Sequence, residues 1–460
     1  MLPLLLACAS SLPGAAPSTP LVYQLDVASF QDSDGDGIGD VQGVRWHLQH
    51  IRSLGARTVQ LLPLEPGADA GRLVPSGTGL DPALGTLDDL ELLATDLHEA
   101  GMRLEVQVPL LAIGRQHAWF REALEGAGRV QLRGHGGDGW YPTGEGRYYY
   151  ATGGVIAPDL DWADPGLAGD RAATLEGLLA AVDGVVLRAD GVAGGLSASE
   201  ALLGELRSSG GPLGAGTVVG EASVEGLSAW AALGPVADGP RLLAIEAAVD
   251  DQDLSGVKAV IAAWGQDVSG TRPFLGDVDR SRLASRVDDP ELRRTLVVLH
   301  LLGPGEPSLY YGEELDVADA TTDPVVAPWR APMPWDSGAH CGFTTGEPWF
   351  TPDPACAVGV NAYDEARDPG SMLSLVRWLA SQRAELGGAE AELVSVGWSD
   401  VIAFESGRLL VVGSVADVPR SVSFPGLRAV DLVDASAVVS SLEVPARGWR
   451  VVRVDAWERP

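Results

Sequence analysis

The sequence predicts a (β/α)8 TIM barrel of the α/β class, with a shortened strand-three insertion and a C-terminal antiparallel β domain. Short apolar segments alternate with amphipathic helical segments over most of the 460-residue chain, as in a closed parallel barrel. After Gly387 the pattern becomes β-rich and has no long helices. We therefore expect a leader and tether at residues 1–20, the barrel at 21–386 with its insertion at 121–157, and the β domain at 387–460.

Eight apolar segments are the predicted barrel strands, and helical patterns such as Leu87–Ala100 and Arg171–Ala181 lie between them. The predicted barrel strands are Leu21–Asp26, Thr58–Leu62, Arg103–Val108, Asp183–Leu187, Thr217–Gly220, Leu242–Ile245, Pro273–Leu275 and Pro307–Tyr310. The predicted strands of the C-terminal domain are Leu393–Val396, Val401–Glu405, Leu409–Ser414, Ser421–Phe424 and Trp449–Val454. In such a barrel the functional side chains lie at the carboxyl ends of the strands and in the loops that follow.

The chain is strongly acidic, with a net charge of −31 that is spread along its length. Such a field repels nucleic acid and anionic lipid headgroups, which favours a neutral small molecule or a protein as the partner. A solvated acidic surface that only maintains solubility explains the same charge. The composition therefore argues against nucleic-acid binding without identifying a function.

The N-terminal segment from Met1 to Cys8 is a short apolar run that ends in Leu-Leu-Ala-Cys. This ending resembles a bacterial lipobox, in which the cysteine is acylated, and residues 10–20 have the composition of a flexible tether. Because the run is short and lacks positive charges, a plain secretion signal, a cytoplasmic location or a misassigned start codon stays open. We expect a protein of the bacterial cell envelope or exterior, lipid-anchored through Cys8, with secretion as the alternative.

The other two cysteines are Cys341 and Cys356. Their separation permits a disulfide that closes a loop, which would suit an oxidising compartment. Two free buried thiols agree with the sequence equally well, so the pairing stays open at this point.

Aspartates recur at every second or fourth position near the N-terminus, at Asp32, Asp34, Asp36 and Asp40, with the carbonyl group of Ile38 between them. Alternating carboxylates among glycines can surround one hard cation with oxygen ligands, and Ca²⁺ prefers such ligands. The alternative is an Asp/Gly-rich turn without a metal. The spacing favours a structural calcium site.

The segment Val22–Gly43, which contains these aspartates, resembles the opening of glycoside hydrolase family 13, the α-amylase superfamily, in its α-glucosidase and trehalose-synthase branch. The same resemblance is seen in Leu80–Thr86, Gln116–Phe120, Ala157–Trp162, Pro307–Glu314, Arg330–Asp336, Gly342–Trp349 and Asp368–Leu375. The resemblance extends over residues 21–460. It implies the barrel fold, a structural Ca²⁺ in the aspartate loop, and a small α-glucoside or oligosaccharide as the ligand.

Between Phe120 and Ala157 members of this family usually carry a larger domain than the short glycine-rich insertion found here. The insertion contains aromatic residues at Trp140, Tyr141 and Tyr148–Tyr150. Aromatic rings stack on the apolar faces of sugars, but they also pack loops. Both interpretations stay open from the sequence.

The resemblance also implies a set of catalytic residues, since retaining glycosidases need a nucleophile and an acid/base carboxylate about 5 Å apart. Glu221 matches the general acid/base at the end of the fifth strand, and Asp279 matches the aspartate that stabilises the transition state. The asparagine and histidine that precede this aspartate in the family are Asp277 and Val278 here. A donor to the sugar hydroxyls is thus replaced by an apolar side chain.

Other sugar-binding positions are altered as well. By the same resemblance, the Asp, Asn and His of the third strand fall on Gln107, Leu111 and Ala112, and the Tyr and Asp that bind the non-reducing sugar fall on Arg72 and Leu73. Each lost hydrogen bond to a charged group is worth roughly 1.5–3 kcal/mol. We therefore expect weakened sugar binding.

The fourth strand allows two alignments with the family pattern Asp-Gly-Phe-Arg-x-Asp, whose last residue is the nucleophile. An alignment on Asp183 and Gly184 puts Val186 at the arginine and Arg188 at the nucleophile position. An alignment on Arg-x-Asp makes Arg188 the arginine and Asp190 the nucleophile. Both keep the same side chains on one face of the strand. We favour the first, because it retains the Asp-Gly pair.

From these residues we expect an α-amylase-family protein of carbohydrate metabolism that has lost most of its glycosidase activity. It would then act as a surface-anchored binding or scaffolding protein, because a permanently protonated arginine cannot attack an anomeric carbon. The alternative is an active retaining α-glucosidase or transglycosylase of small α-glucosides that uses Asp190, Glu221 and Asp279. The expected partner is a small α-glucoside or oligosaccharide, and no protein partner can be named.

Overall fold

A computed structural model of the chain describes most of the barrel and nearly all of the C-terminal domain. The described residues are 21–64, 80–110, 113–115, 117–126, 129–144, 146–151, 158–188, 201–202, 204–205, 217–221, 236–238, 271–277, 280–303, 305–320, 328–384, 386 and 391–457. The predictions for Cys8, Arg72, Leu73, Leu111, Ala112, Asp190, Val278, Asp279 and the strand Leu242–Ile245 lie outside these ranges.

Eight parallel strands of the described residues form the predicted barrel. They are β1 (Leu21–Leu25), β2 (Ala56–Leu61), β3 (Arg103–Pro109), β7 (Gly184–Arg188), β8 (Thr217–Glu221), β9 (Val236–Asp238), β10 (Thr271–Pro273) and β11 (Ser308–Tyr310). They pair in the order β10-β9-β8-β7-β3-β2-β1-β11. A bridge between Phe274 and Ser308 joins the two ends of this order, so the sheet closes. The (β/α)8 prediction is confirmed, and the sixth strand lies at Val236–Asp238, ahead of the predicted segment.

Helices pack around the outside of this barrel. In the described residues they are α1 (Val27–Phe30), α2 (Val41–Trp46), α3 (Leu48–Ser53), α4 (Leu87–Glu99), α5 (Ala118–Glu125), α6 (Leu167–Ala180), α7 (Leu283–Arg286), α8 (Pro290–Leu302), α9 (Ala362–Glu365) and α10 (Met372–Arg383). Helix α4 begins with a capping box between Thr86 and Asp89, which satisfies backbone N–H groups that the first turn leaves unpaired. None of the described helices combines the length and the apolar composition that crossing a bilayer requires.

The main hydrophobic core lies between the barrel and these helices, because side chains alternate between the two faces of each strand. On β1, Tyr23 and Leu25 face this core and are fully buried. Gln24 is also buried but does not belong to the apolar cluster. The alternation therefore gives the sheet an apolar outer face and a more polar inner face.

A buried row of polar side chains crosses the inner face of the barrel. Gln24 pairs with Gln60 on the neighbouring strand, and Gln60 pairs with Glu105 on β3. Arg272 of β10 reaches Glu105 with two hydrogen bonds, one of them 3.0 Å long from Nη2 to Oε1. Its Nε also donates to Glu306 over 2.8 Å. An ion pair thus links two strands that are far apart around the barrel.

The insertion is a small sheet of β4 (Leu132–Arg133), β6 (Tyr148–Tyr150) and β5 (Trp140–Pro142), in that order. Tyr149 is buried in the insertion's own core beside Phe120. On the other face, the Arg133 guanidinium lies 3.7 Å from the centre of the Trp140 ring. Tyr150 packs against Gly139, where a Cβ would overlap the tyrosine ring. In the structure these rings pack the insertion itself.

The C-terminal sheet is antiparallel, as predicted. It contains β12 (Ala391–Leu393), β13 (Val401–Ser406), β14 (Leu409–Ser414), β17 (Trp449–Trp457), β15 (Arg420–Asp431) and β16 (Ala437–Val444), in that order. The strand β16 was not predicted. The sheet packs on the barrel through α8, where Gly413 of β14 lies against Leu299 and the Thr295 hydroxyl donates to the Arg447 carbonyl over 2.8 Å.

Candidate active site and cation loop

The carboxyl ends of β7 and β8 bring two of the predicted site residues side by side. Arg188 is the last residue of β7 and pairs with Glu221, the last residue of β8. Neighbouring strands lie roughly 4.8 Å apart, so these two backbone positions are direct neighbours. Two residues before Arg188 on the same strand, Val186 pairs with Gln107 on β3 and with Val219 on β8.

Asp183 lies at the opposite end of the same strand. Its carboxylate accepts a 2.8 Å hydrogen bond from the backbone N–H of Leu104 and contacts His98 Nε2 at 2.8 Å. This aspartate therefore ties the start of β7 to β3 and α4 at the amino end of the barrel. In the first alignment the nucleophile position is Arg188, opposite Glu221. In the second it is Asp190, two residues beyond the end of β7.

Two aspartates are buried at the carboxyl ends of β1 and β10. Asp26 forms an ion pair with Arg330, whose Nε and Nη2 both donate to Asp26 Oδ2 at 2.9 and 2.7 Å. Asp277, which the sequence resemblance aligns with the family's asparagine, is buried and lies 3.8 Å from the Nε of Arg280. Both carboxylates are held beside arginines at the mouth of the barrel.

Two adjacent glutamates after β11 were not singled out from the sequence. Glu313 is buried, and burial raises the pKa of its carboxyl group to about 7, against the opposing charges of Arg286 and Arg282. Gly276 provides the space, because a methyl group there would overlap this carboxylate. Glu314 accepts hydrogen bonds from the Tyr23 hydroxyl at 2.6 Å and contacts His50 Nε2 at 2.9 Å. The motif Pro307–Glu314 was the only sequence signal for them.

The aspartate loop has the geometry of a cation site. Ligand atoms of Asp32, Asp34 and Asp40 all lie within 4.8 Å of one another. Asp36 and Ile38 lie in the same loop, where Asp36 Oδ1 accepts the Ile38 N–H over 2.8 Å. Three converging carboxylates with backbone carbonyls nearby form the all-oxygen donor set that Ca²⁺ prefers. The residues present therefore fit a calcium ion.

The surroundings of Asp32 and Asp40 shift the pKa values of their carboxyl groups in opposite directions. Burial by itself would raise the pKa of Asp32, but the Thr344 hydroxyl and the backbone N–H groups of Gly35, Gly37 and Asp34 donate to its carboxylate and lower the pKa below the usual value. For Asp40, burial outweighs its hydrogen bonds and raises the pKa. A carboxylate with a lowered pKa stays charged in mildly acidic solution.

The structure answers the question that the sequence left open for the cysteines. Cys341 and Cys356 form a disulfide with an S–S distance of 2.05 Å. The loop that it closes contains Phe343 and Thr344, which contact the aspartate loop.

Comparisons with known proteins agree with this architecture. Residues 24–153 and 243–387 match the family model described as alpha amylase, catalytic domain. Over 430 residues the chain is 27% identical to the trehalose-6-phosphate hydrolase of Escherichia coli (strain K12), which covers 72% of this chain and 77% of that protein. Over 471 residues it is 26% identical to the probable oligo-1,6-glucosidase 2 of Bacillus subtilis (strain 168), covering 79% and 83%.

Solved structures show the same fold at lower identity. The trehalulose synthase MutB from Pseudomonas mesoacidophila MX-45 superposes with a TM-score of 0.79 at 21% identity, over 96% of this chain and all of that one. A MutB mutant in complex with the substrate sucrose superposes with a TM-score of 0.80, also at 21% identity and over 96% and 100% of the two chains. The two segments that match the family model flank β7 and β8, which lie between them.

Proposed function

Since the chain belongs to the α-amylase catalytic-domain family, we propose that it acts on short α-linked glucosides as a retaining α-glucosidase or transglycosylase. Family membership makes it a glycoside-hydrolase-type protein of carbohydrate metabolism. The observation that carries the finer proposal is that its similarity to a trehalose-6-phosphate hydrolase and an oligo-1,6-glucosidase extends over 72% and 79% of its length. These relatives support activity more than the loss of activity expected from the sequence.

In this proposal Glu221 and Asp190 share the chemistry across the ends of β7 and β8. Glu221 protonates the glycosidic oxygen while the Asp190 carboxylate attacks the anomeric carbon, which breaks the glycosidic bond and forms a glycosyl ester. Glu221 then takes a proton from water or from a sugar hydroxyl. The oxygen of that water or sugar attacks the same carbon and releases Asp190. Asp279 stabilises the positive charge that develops on the sugar ring in both steps.

The altered side chains around this mouth should make the reaction slow. Gln107, Leu111 and Ala112 stand where the family has an Asp, an Asn and a His at the sugar site. An apolar side chain offers no hydrogen bond, and each missing bond to a charged partner removes roughly 1.5–3 kcal/mol of stabilisation. We expect turnover well below that of an intact family member.

A second candidate is favoured by one specific observation, the backbone pairing of Arg188 with Glu221. If the position opposite the acid/base residue is the nucleophile position, an arginine occupies it, and an arginine has no lone pair with which to attack. The barrel would then bind short α-glucosides without cleaving them, as a binding or scaffolding protein.

Hydrolysis assays separate the two candidates. The purified protein would be incubated with maltose, isomaltose, sucrose, trehalose and trehalose 6-phosphate, and released glucose would be measured. The proposal predicts glucose release that Glu221→Gln lowers at least about 100-fold, the usual contribution of a general acid. Glu91→Gln, on the exposed face of α4, is the matched control. Equal background rates in all three proteins, with sugar binding retained, would favour the second candidate.

The proposal includes a structural Ca²⁺ held by Asp32, Asp34, Asp36, Asp40 and the Ile38 carbonyl. The converging ligand atoms and the all-oxygen donor set support it. The ion would fix the loop that leads from α1 into α2 and would offset the repulsion between its carboxylates.

We also propose that Cys8 carries a lipid that anchors the protein to the bacterial cell envelope, and this rests on the lipobox-like ending of the apolar run. Metabolic labelling with an alkyne palmitate in a bacterial host tests it. Label on the full-length chain that Cys8→Ser removes is the expected result. Equal labelling of both chains, or release of both into the medium, would contradict it and favour secretion.

A further inference from the structure

The segment closed by the disulfide, residues 341–356, lies directly on the aspartate loop. We call this segment the clamp. The backbone N–H of Asp32 donates to the Phe343 carbonyl over 3.0 Å, and the same carbonyl accepts from Gln31 Nε2 over 2.7 Å. The N–H of Trp349 donates to the Gly37 carbonyl over 2.9 Å. The clamp therefore contacts the loop through its first residues and through its middle.

The two segments fit together without spare room. Gly37 lies against the Glu347 backbone, and Gly346 lies against the backbone of Gly35, so that a Cβ at either glycine would overlap main-chain atoms. Gly37 also has a φ of +93°, a backbone conformation that residues other than glycine rarely adopt. A shift of the clamp would therefore move the loop with it.

One contact joins the clamp to a candidate ligand side chain. The Thr344 hydroxyl, which is buried, donates to Oδ2 of Asp32, and Gly37 N–H donates to the same oxygen over 2.8 Å. Oxygen Oδ1 accepts from the N–H groups of Asp34 and Gly35. Hydrogen bonds of this kind orient a carboxylate toward a metal, and their loss typically weakens metal binding about 10- to 100-fold.

We propose that the clamp positions Asp32 for cation binding and that the Cys341–Cys356 bond and the Thr344 hydroxyl therefore set the affinity of the loop for Ca²⁺. Both sulfur atoms belong to buried residues, at 4% and 5% exposure, so the bond holds the clamp from within the fold. Thr344 is a positioning residue, because it acts through Asp32. The inference rests on the proposed cation site and concerns only what supports that site.

Titrations of the chelator-treated full-length chain test the proposal. Tb³⁺ luminescence sensitised by tryptophan would be followed while Ca²⁺ displaces the Tb³⁺, at a temperature where circular dichroism shows each variant folded. We expect Thr344→Val to raise the Ca²⁺ dissociation constant about tenfold, and Cys341→Ala/Cys356→Ala to do the same or more. Thr344→Ser, which keeps the hydroxyl, should bind like the wild type.

The outcomes distinguish the clamp from the site that it supports. A wild type that binds Ca²⁺ together with unchanged dissociation constants in Thr344→Val and in the double cysteine variant would overturn the clamp alone. A wild type without saturable Ca²⁺ displacement would refute the cation site, and the clamp with it. Because the loss of a disulfide destabilises many proteins, Thr344→Val keeps the test valid if the cysteine variant does not fold.

Discussion

Single residues at the ends of β7 and β8 set the chemistry that remains possible. Arg188 and Glu221 are direct neighbours by backbone pairing. The barrel predicted from the sequence makes these two strands neighbours, but both alignments of the fourth strand place the same side chains on the same face, so the residue opposite Glu221 stayed open. The pairing with β8 depends on a strand about thirty positions away, which no local pattern encodes. Residue types at the site were thus readable from the sequence, but their partners across the sheet were not.

Buried histidines give the molecule a pH dependence at the residue scale. Burial lowers the pKa of His300 to about 3, and its ring contacts the Ser308 carbonyl over 3.0 Å. The unfolded chain, with a histidine pKa near 6.5, binds more protons than the folded chain at lower pH. The free energy of unfolding should therefore fall as the pH is lowered from about 6.5 toward 3.

Urea unfolding at pH 7 and pH 5 measures this effect. His300→Gln keeps an N–H donor but cannot titrate, so the difference in stability between the two pH values should be smaller in the variant. Burial lowers the pKa of His47 to about 3 as well, so part of the pH dependence should remain. An identical difference in wild type and variant would show that folding does not lower the pKa of His300, contrary to this expectation.

At the scale of elements, the alternating pattern predicted most barrel strands to within a few residues, because burial on one face imposes a period of two. It missed β16 (Ala437–Val444), where exposed and buried residues alternate but Ser440 and Ser441 interrupt the apolar positions. It also gave no sign of the pair between Glu105 of β3 and Arg272 of β10, which are separated by 167 residues. Tertiary pairing of this kind follows from barrel closure, not from local sequence.

For the Glu105–Arg272 pair, we expect a single substitution to lower the free energy of unfolding much more than a double substitution. Glu105→Gln leaves a buried guanidinium short of a charged partner and should lower the free energy of unfolding by about 3 kcal/mol. The double variant Glu105→Leu/Arg272→Met removes both charges and should be about as stable as the wild type. Urea unfolding of the single and double variants measures this. Equal losses in both would contradict the assignment of the pair as a buried ion pair that could be replaced by apolar packing.

At the scale of the whole molecule, a net charge of −31 makes the aspartate loop a costly feature. Its three converging carboxylates repel one another in a chain that is already acidic. A bound cation would remove this cost, and ligands that bind only the folded state raise its stability.

Removal of the cation should therefore lower the melting temperature. We expect a fall of several degrees on addition of EDTA, reversed by excess Ca²⁺, and a much smaller response in Asp34→Asn. Differential scanning calorimetry measures both. A melting temperature that EDTA leaves unchanged in the wild type would mean that the loop is a turn without a metal.

We propose that the mouth of this barrel carries out retaining chemistry with Asp190 as the nucleophile. A 5-fluoro-α-glucosyl fluoride tests it most directly, because attack expels fluoride and leaves a glycosyl ester that hydrolyses slowly. Mass spectrometry of the intact protein and of its peptides locates the ester. We expect one added glycosyl group on Asp190, which is absent in Asp190→Asn. An unlabelled protein that still binds the sugar would contradict it and favour the binding protein in which Arg188 occupies the nucleophile position.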